Sequence, residues 1–412
     1  MTPDISPFPA KNERPGEGPG ERSSDERFLR RALALTGRMR AHPNPCVGAV
    51  VVNRGEIVGE GWTRSLPGVG LHAESMALEI AGERARGGTL YVTLEPCSHE
   101  VRPDGSTRYP CARRAIDAGI SRVVCCLQDP DPQVDGSGFD LLRAAGITVE
   151  VGLLAEKARE THAPYLKHRT TGLPYITHKA AMSLDGKLAQ TRSAPTSLTG
   201  PQARAAVHRL RDRVDAIVVG VGTILADDPQ LNTRLSGSRK GRDPVVVVFD
   251  THLRTPPTAR VCRPGTILVT AIARASRISR SLRLAPSSAA EEGREGHDRG
   301  DAAGGEMASG MEVLRVAPDA SGRPDVTEAM KLLAERGLFD VLLESGGALA
   351  ASFWEAGWVD RALLFVAPMV LGGRDAPTPL EGEGLELPAR LTKLSVRRYG
   401  EDVAISGEVQ RQ

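Results

Sequence analysis

Apolar positions recur in this chain with two different periods, and the alternation of those periods lays out its architecture. From Asp25 the spacing is helical, with Phe28, Ala32, Leu35 and Met39 on one face and arginines elsewhere. CVGAVVVNRGEIVGEG then reads as two apolar runs about a turn at Asn53 to Gly55, a β-hairpin. A helix from about His72 to Ala81, a strand TLYVTL, a helix CARRAIDAG, a strand RVVCCL, a helix around FDLLRAAG and a strand ITVEVG follow. Strand and helix in alternation predict an α/β sheet.

A helix over 153–173 ends at a Thr-Gly-Leu-Pro break, and the strand YITHKAAM opens a second α/β series, so the domain boundary is expected near 168. That series predicts a helix from Pro201 to Arg213, strands DAIVVGVG, VVVVFD, TILVT and MEVLRV, and a helix from about Val326 to Arg336. A strand DVLLESG, a helix ALAASFWEAG and a strand RALLFVAPMVL complete it. Residues 272–310 are biased to Ala, Ser, Gly and Arg and read as a flexible insertion between strands. Residues 1–24, rich in Pro, Gly and charge, cannot bury enough apolar surface to order themselves and read as a disordered tail. The expected domains are therefore 25–167 and 168–412.

The chain of 412 residues exceeds what one core usually serves, in agreement with two domains. Its net charge of +2 and 4% aromatic content point away from nucleic-acid and membrane partners and toward small-molecule substrates. No apolar run approaches the ~20 residues of a membrane span and no signal-type segment opens the chain, so a cytoplasmic enzyme is expected. A homo-oligomer stays open. Six cysteines are too sparse for a disulfide framework, which leaves metal binding or buried thiols.

Position separates those two readings. His72-Ala73-Glu74 opens a helix, Glu95-Pro96-Cys97 follows a strand, and Cys111 heads the next helix. Catalytic zinc takes three protein ligands and keeps one position for water, whose pKa falls toward ~7. His72, Cys97 and Cys111 supply such a set, and the helix start favours the thiolate of Cys111 and of Cys97. Glu74, one turn from His72, is placed to shuttle protons and not to ligate. This is the His-x-Glu and Pro-Cys pattern of nucleobase deaminases, except that thirteen residues separate Cys97 from Cys111 where that signature has two. A core histidine beside inert thiols is the competing reading, and Glu74 in place with strand-to-helix junctions at the right points argues against it; a closed structural zinc or nucleic-acid module is another, against which three ligands, an unligated glutamate and near-neutral charge stand. Cys125 and Cys126 lie inside an apolar strand and read as core thiols, as do Cys46 and Cys262. In the turn His42-Pro43-Asn44-Pro45, Asn44 offers an amide to a base edge.

In the second series, Gly220 and Gly222 end one strand, and Glu344-Ser345-Gly346-Gly347 ends another before a helix, where backbone amides can approach an anion. Purely structural glycines explain the same pattern. Lys179, Arg211 and Arg234 could engage phosphate or hydroxyls, or stand as solvated charges.

The wording HPNPCVGAVVV, HAES, TLYVTLEPCSH and LQDPDPQV, continued by PYITHKAAMSLDGKLA, SLTGPQAR, TILADDPQL and LLESGGAL, resembles the bifunctional riboflavin-biosynthesis deaminase-reductase family from about 25 to 409. The resemblance implies a cytidine-deaminase-like zinc domain followed by a dihydrofolate-reductase-like α/β domain. It implies Zn2+ and NADPH as cofactors, and hydrolytic deamination of 2,5-diamino-6-(5-phosphoribosylamino)pyrimidin-4-one followed by reduction of the ribosyl chain to ribityl. Carried over by position, it implies NADP contacts at Ala181, Ser197, Thr223, Asp227, Thr251 and the run Gly346, Gly347, Ala348, Leu349, Ala350, Ala351, Ser352. It implies substrate contacts at Pro195, Arg211, Leu231, Arg234 and Glu344. The chain departs from the family at Pro195, Ser197 and the zinc loop HEVRPDGSTRYP, whose Arg102 and Arg108 are candidates for substrate phosphate. A related deaminase with an altered or inactive reductase-like domain is the alternative these departures raise.

Overall fold

The computed structural model describes residues 19–37, 44–66, 69–100, 107–192, 196–234, 243–271, 304–307 and 310–410. By internal contacts the chain divides into two compact units, Met1–Ala41 with Pro45–His162, and His42–Asn44 with Ala163–Gln412.

The first unit opens with α1 (Pro19–Thr36) and the hairpin β1 (Gly48–Asn53) and β2 (Glu56–Trp62). A short ribbon β3 (Arg64–Leu66) and β4 (Val69–Leu71), α2 (Ala73–Ala81), β5 (Thr89–Val92), α3 (Cys111–Asp117) and β6 (Arg122–Cys125) come next. The series continues with α4 (Ser137–Ala144), β7 (Thr148–Val151) and α5 (Ala155–Thr171), inside which the division between units falls. The five strands order as β2-β1-β5-β6-β7, antiparallel through β1 and parallel from β5 to β7. The apolar runs of β1, β5 and β6 are buried, as expected of strands covered on both faces.

Two glycines set the position of α2. Gly59 and Gly61 fall on one face of β2, and a Cβ on either would collide with a carbonyl oxygen of α2, Ala77 for Gly59 and Ala73 for Gly61. Gly at i and i+2 on the strand, facing Ala at i and i+4 on the helix, lets backbone rest on backbone. The start of α2 is thereby fixed against the sheet.

The second unit contains β8 (Tyr175–Ser183), α6 (Pro201–Arg211), β9 (Ala216–Gly220), α7 (Val221–Asp227), β10 (Val245–Phe249), β11 (Ile267–Thr270), β12 (Gly304–Met307) and β13 (Met311–Arg315). Then follow α8 (Val326–Glu335), β14 (Asp340–Leu343), α9 (Gly347–Glu355), β15 (Arg361–Ala367), β16 (Leu391–Tyr399) and β17 (Asp402–Val409). Among the described residues they form one ten-stranded sheet, β12-β13-β11-β10-β9-β14-β8-β15-β17-β16. Alternate residues fill cores on its two faces: Val218, Val247, Val269 and Val341 pack with α8 and α9, while Val219, Val246, Val248, Leu268 and Leu342 pack with α7. Strand β14 inserts between β9 and β8, so the strand order reverses there, the place where open α/β sheets form a ligand crevice at their carboxyl ends.

Four differences from the expected elements have local causes. Helix α1 begins at Pro19, inside the stretch expected to be disordered, because a proline without an N–H is tolerated in a first helical turn. The strand expected through Gly222 ends at Gly220, where α7 begins. Residues 304–307, expected within the flexible insertion, pair antiparallel with β13; 272–303 lie outside the described residues, as does Met39. Strands β16 and β17 went unread because β16 is largely exposed and mixes Lys and Arg with Leu and Val, so it lacks a clean period of two.

Candidate metal centre and reductase crevice

His72 is the residue preceding α2, held in extended backbone, and Glu74 lies in the first helical turn. Cys111 is the first residue of α3, after Pro110. Cys97 belongs to neither helix nor strand. One donor atom from each of His72, Cys97 and Cys111 lies within 4.8 Å of the others. The Cys97 Sγ sits 3.8 Å from His72 Nδ1, close to the ~3.6 Å edge of a zinc tetrahedron built on Zn–N near 2.1 Å and Zn–S near 2.3 Å. Nδ1 is therefore the nitrogen facing the centre, and Nε2 faces Arg108, 3.0 Å away.

The Cys111 backbone N–H points at Cys97 Sγ, 3.3 Å away. A hydrogen bond from the Cys111 side chain holds the Cys97 thiol down at about 3, with burial opposing and His72 adding to the effect, whereas Cys97 and burial together raise Cys111. Ser75 Oγ contacts Cys111 Sγ at 3.8 Å.

Glu74 is 2% exposed, and its Oε2 has no hydrogen-bond partner among the described residues. Burial pushes its carboxyl up to about 7, with the neighbouring His72 opposing. A buried carboxyl with a free oxygen and a pKa near neutrality can exchange a proton in either direction. One imidazole and two sulfurs, with that carboxyl beside them, suit a catalytic zinc that keeps an open position. A cavity of about 590 Å³ reaches the three donors and is lined further by Leu71, Arg108, Tyr109 and Arg114. Arg108 also donates to the His99 carbonyl, 3.2 Å away. Arg102 lies outside the described residues.

The other cysteines stay apart from this centre. Cys125 is buried in β6 with its thiol donated to the Leu127 carbonyl, and burial raises both Cys125 and Cys126. Asn44 is exposed.

In the second unit, three of the candidate substrate residues converge. Arg211, the last residue of α6, grips Glu344 with two hydrogen bonds of 2.7 and 2.9 Å, and Lys179 of β8 approaches the same carboxylate at 3.4 Å. Glu344 directly follows β14, at the reversal of strand order. Burial opposes its charge, yet Lys179 and Arg211 together hold it at about 2. Candidate cofactor residues cluster after neighbouring parallel strands: Thr223 and Asp227 on α7 after β9, Thr251 after β10, and Gly346 to Ser352 after β14. Gly346 precedes α9 without a side-chain cap, and a Cβ on Gly346 or Gly222 would meet nothing within 4 Å. Such open backbone at a helix start fits an anionic nucleotide.

The remaining candidates are dispersed. Ala181 packs partly buried against the core under α6, and Ser197 is exposed. Leu231 is 3% exposed in the core beside α7, Arg234 is exposed with its Nε bonded to Asn232, and Pro195 lies outside the described residues. Sequence reading gave no role to Glu95, whose carboxylate accepts four backbone N–H groups, or to the His178–Trp354 hydrogen bond of 3.0 Å that ties β8 to α9. For Glu95 the only signal was its place two residues before Cys97.

Fold and donor set together define a zinc-binding deaminase joined in one chain to a nucleotide-dependent reductase of dihydrofolate-reductase-like fold. Family models agree: the cytidine and deoxycytidylate deaminase zinc-binding region matches residues 22–127, and the RibD C-terminal domain matches 174–405. The chain is 36% identical to riboflavin biosynthesis protein RibD of Escherichia coli strain K12 over 92% of this chain and 98% of that one. It is 38% identical to RibD of Bacillus amyloliquefaciens over 86% of each chain. Among solved structures, one RibD of Acinetobacter baumannii superposes with a TM-score of 0.76 at 29% identity, covering 95% of this chain and all of that one. The deaminase/reductase of Thermotoga maritima gives 0.74 at 28%, with the same coverage. The chain belongs to the RibD family, the bifunctional deaminase/reductases of riboflavin biosynthesis. Its cofactors are zinc and NADPH. No described helix is long and apolar enough to cross a membrane.

Proposed function

We propose that the first unit deaminates 2,5-diamino-6-(5-phosphoribosylamino)pyrimidin-4-one and that the second then reduces the ribosyl chain of the product to ribityl. The observation that carries the first step is Glu74, a buried carboxyl with an unpartnered oxygen beside three converging donors. His72, Cys97 and Cys111 hold the zinc. When bound, zinc supplies Lewis acidity that makes water a nucleophile near pH 7, and NADPH supplies the hydride. Glu74 takes the proton that water gives up and delivers it to the departing amine, so that the ring carbon exchanges nitrogen for oxygen and ammonia leaves. Arg108, which lines the cavity, is placed for the substrate's anionic end.

In the second unit, Gly346 to Ser352, with Thr223, Asp227, Thr251, Ala181 and Ser197, bind the nucleotide. Lys179, Arg211 and Glu344 orient the sugar chain, assisted by Arg234, Leu231 and Pro195; Asn44 is assigned to the pyrimidine. Domain limits of 25–167 and 168–412 belong to the same reading. So do a cytoplasmic location and the absence of a nucleic-acid partner, in keeping with sparse cysteines and a net charge of +2. A homo-oligomer is compatible with the exposed Leu394 and Val396 of β16.

Cysteine exchange tests the ligand set. Cys111→Ser is expected to lose zinc, measured by metal analysis of the purified chain, and Cys125→Ser to retain it; equal zinc in both variants would remove Cys111 from the set. The packing of α2 gives a second check. Gly61→Ala would push the Ala73 carbonyl and the adjoining His72 and Glu74 away from the sheet, destabilising the unit by about 1–3 kcal/mol and lowering zinc content. Thermal melting with metal analysis reads both effects, and a variant with wild-type zinc content would show that β2 does not fix the ligand.

A further inference from the structure

Cys97 is the one proposed ligand that no helix or strand positions, so its place depends on what holds its loop. Glu95, 4% exposed, stands two residues before it. Its Oε1 accepts the N–H of Gly138 at 2.9 Å and of Phe139 at 3.4 Å, and its Oε2 accepts those of Gly136 at 3.0 Å and Asp129 at 3.2 Å. Two oxygens facing four N–H donors suit an acceptor-only carboxylate. Two further contacts join the same segments. Gly138 lies so close to the Pro96 carbonyl that a Cβ there would collide with it, and Ser98 Oγ meets Ser137 Oγ at 2.6 Å. Residues on both sides of Cys97 are thus fastened to 129–139, while the Cys97 carbonyl receives the Ala112 N–H at 3.1 Å.

We infer that Glu95 is a positioning residue of the metal centre: by binding the segment 129–139 through four backbone amides, it fixes the Cys97 sulfur at ligating distance from His72 and Cys111. This rests on the zinc-deaminase reading above. Glutamine has the same shape but cannot replace it, since either orientation of its amide turns an NH2 toward two N–H donors. Loss of a group that orients a metal ligand typically costs about 10- to 100-fold in metal affinity.

The test compares the full-length zinc-loaded protein with Glu95→Gln, following zinc transfer to a chromophoric chelator and the visible absorption of the cobalt-substituted form. NADPH oxidation with deaminated substrate serves as a control on the second unit. The expected result is zinc transfer at least about tenfold faster, a changed cobalt spectrum and an unaltered reductase rate. Gly138→Ala presses on the same contact from the other side and is expected to act in the same direction, which keeps the test available if Glu95→Gln is insoluble. Wild-type zinc retention and an unchanged cobalt spectrum in the variant would overturn the inference alone. A wild-type protein that takes up no zinc would overturn the zinc reading and the inference together.

Discussion

Glu74→Gln is expected to stop ammonia release while leaving zinc in place. The carboxyl is buried, carries a free oxygen and is held near neutrality by burial, which are the properties of a group that accepts a proton and returns it within one turnover. The amide keeps its shape and volume but cannot carry the proton. Removing a positioned acid–base group typically costs about 10²- to 10⁴-fold in rate. The fall should appear in kcat with little change in KM, because Glu74 acts on the proton and not on the phosphorylated sugar. Steady-state ammonia assays alongside metal analysis read this directly. A variant that lost zinc as well would identify Glu74 as a ligand or a structural prop.

In the second unit, Glu344→Ala should have the largest effect on stability. Lys179 and Arg211 are each about one-seventh exposed, at 14%, and both lean on a carboxylate that is 8% exposed. Deleting it removes the carboxylate that both buried cations face, and breaking such a cluster by removing one partner costs about 3–5 kcal/mol. For a unit of this size the melting temperature should fall by roughly 10 °C. Reduction should fail too, since the same three side chains are proposed to orient the sugar chain. The pH dependence has a definite sign. The folded-state pKa of Glu344, about 2, lies below the ordinary glutamate value of about 4.3, so the ionised cluster stabilises the fold above that ordinary value. The contribution declines as pH falls from there through the folded value. Calorimetry of wild type and Glu344→Ala should therefore show melting temperatures that differ most at neutral pH and converge toward pH 2. A constant gap would mean that Glu344 acts through packing and not through charge.

The parts of this enzyme that were legible in its sequence are those where one residue type has few uses. His-x-Glu at a helix start and Pro-Cys after a strand are such cases, and the long excursion to Cys111 did not disturb the pattern, since the three donors meet. Alternating periods likewise marked nearly every central strand of both sheets. What stayed hidden depends on partners distant in sequence. The four amides held by Glu95 come from residues 34 to 44 positions away, so nothing beside Glu95 announces them. The Arg211–Glu344 pair spans 133 positions, and each residue was singled out separately, with no sign that they bind each other. Strand β16 escaped because a sheet edge facing solvent needs no apolar alternation.

Two chemistries performed in order by one chain are the central claim. The direct measurement follows ammonia and NADPH together in a single reaction on the diaminopyrimidine substrate, with wild type beside Glu74→Gln. Wild type should release ammonia and oxidise NADPH in equal amounts. The variant should do neither on that substrate, yet should oxidise NADPH at the wild-type rate when given the deaminated compound. NADPH oxidation by the variant on the undeaminated substrate, or ammonia release by wild type with no NADPH consumed, would contradict it.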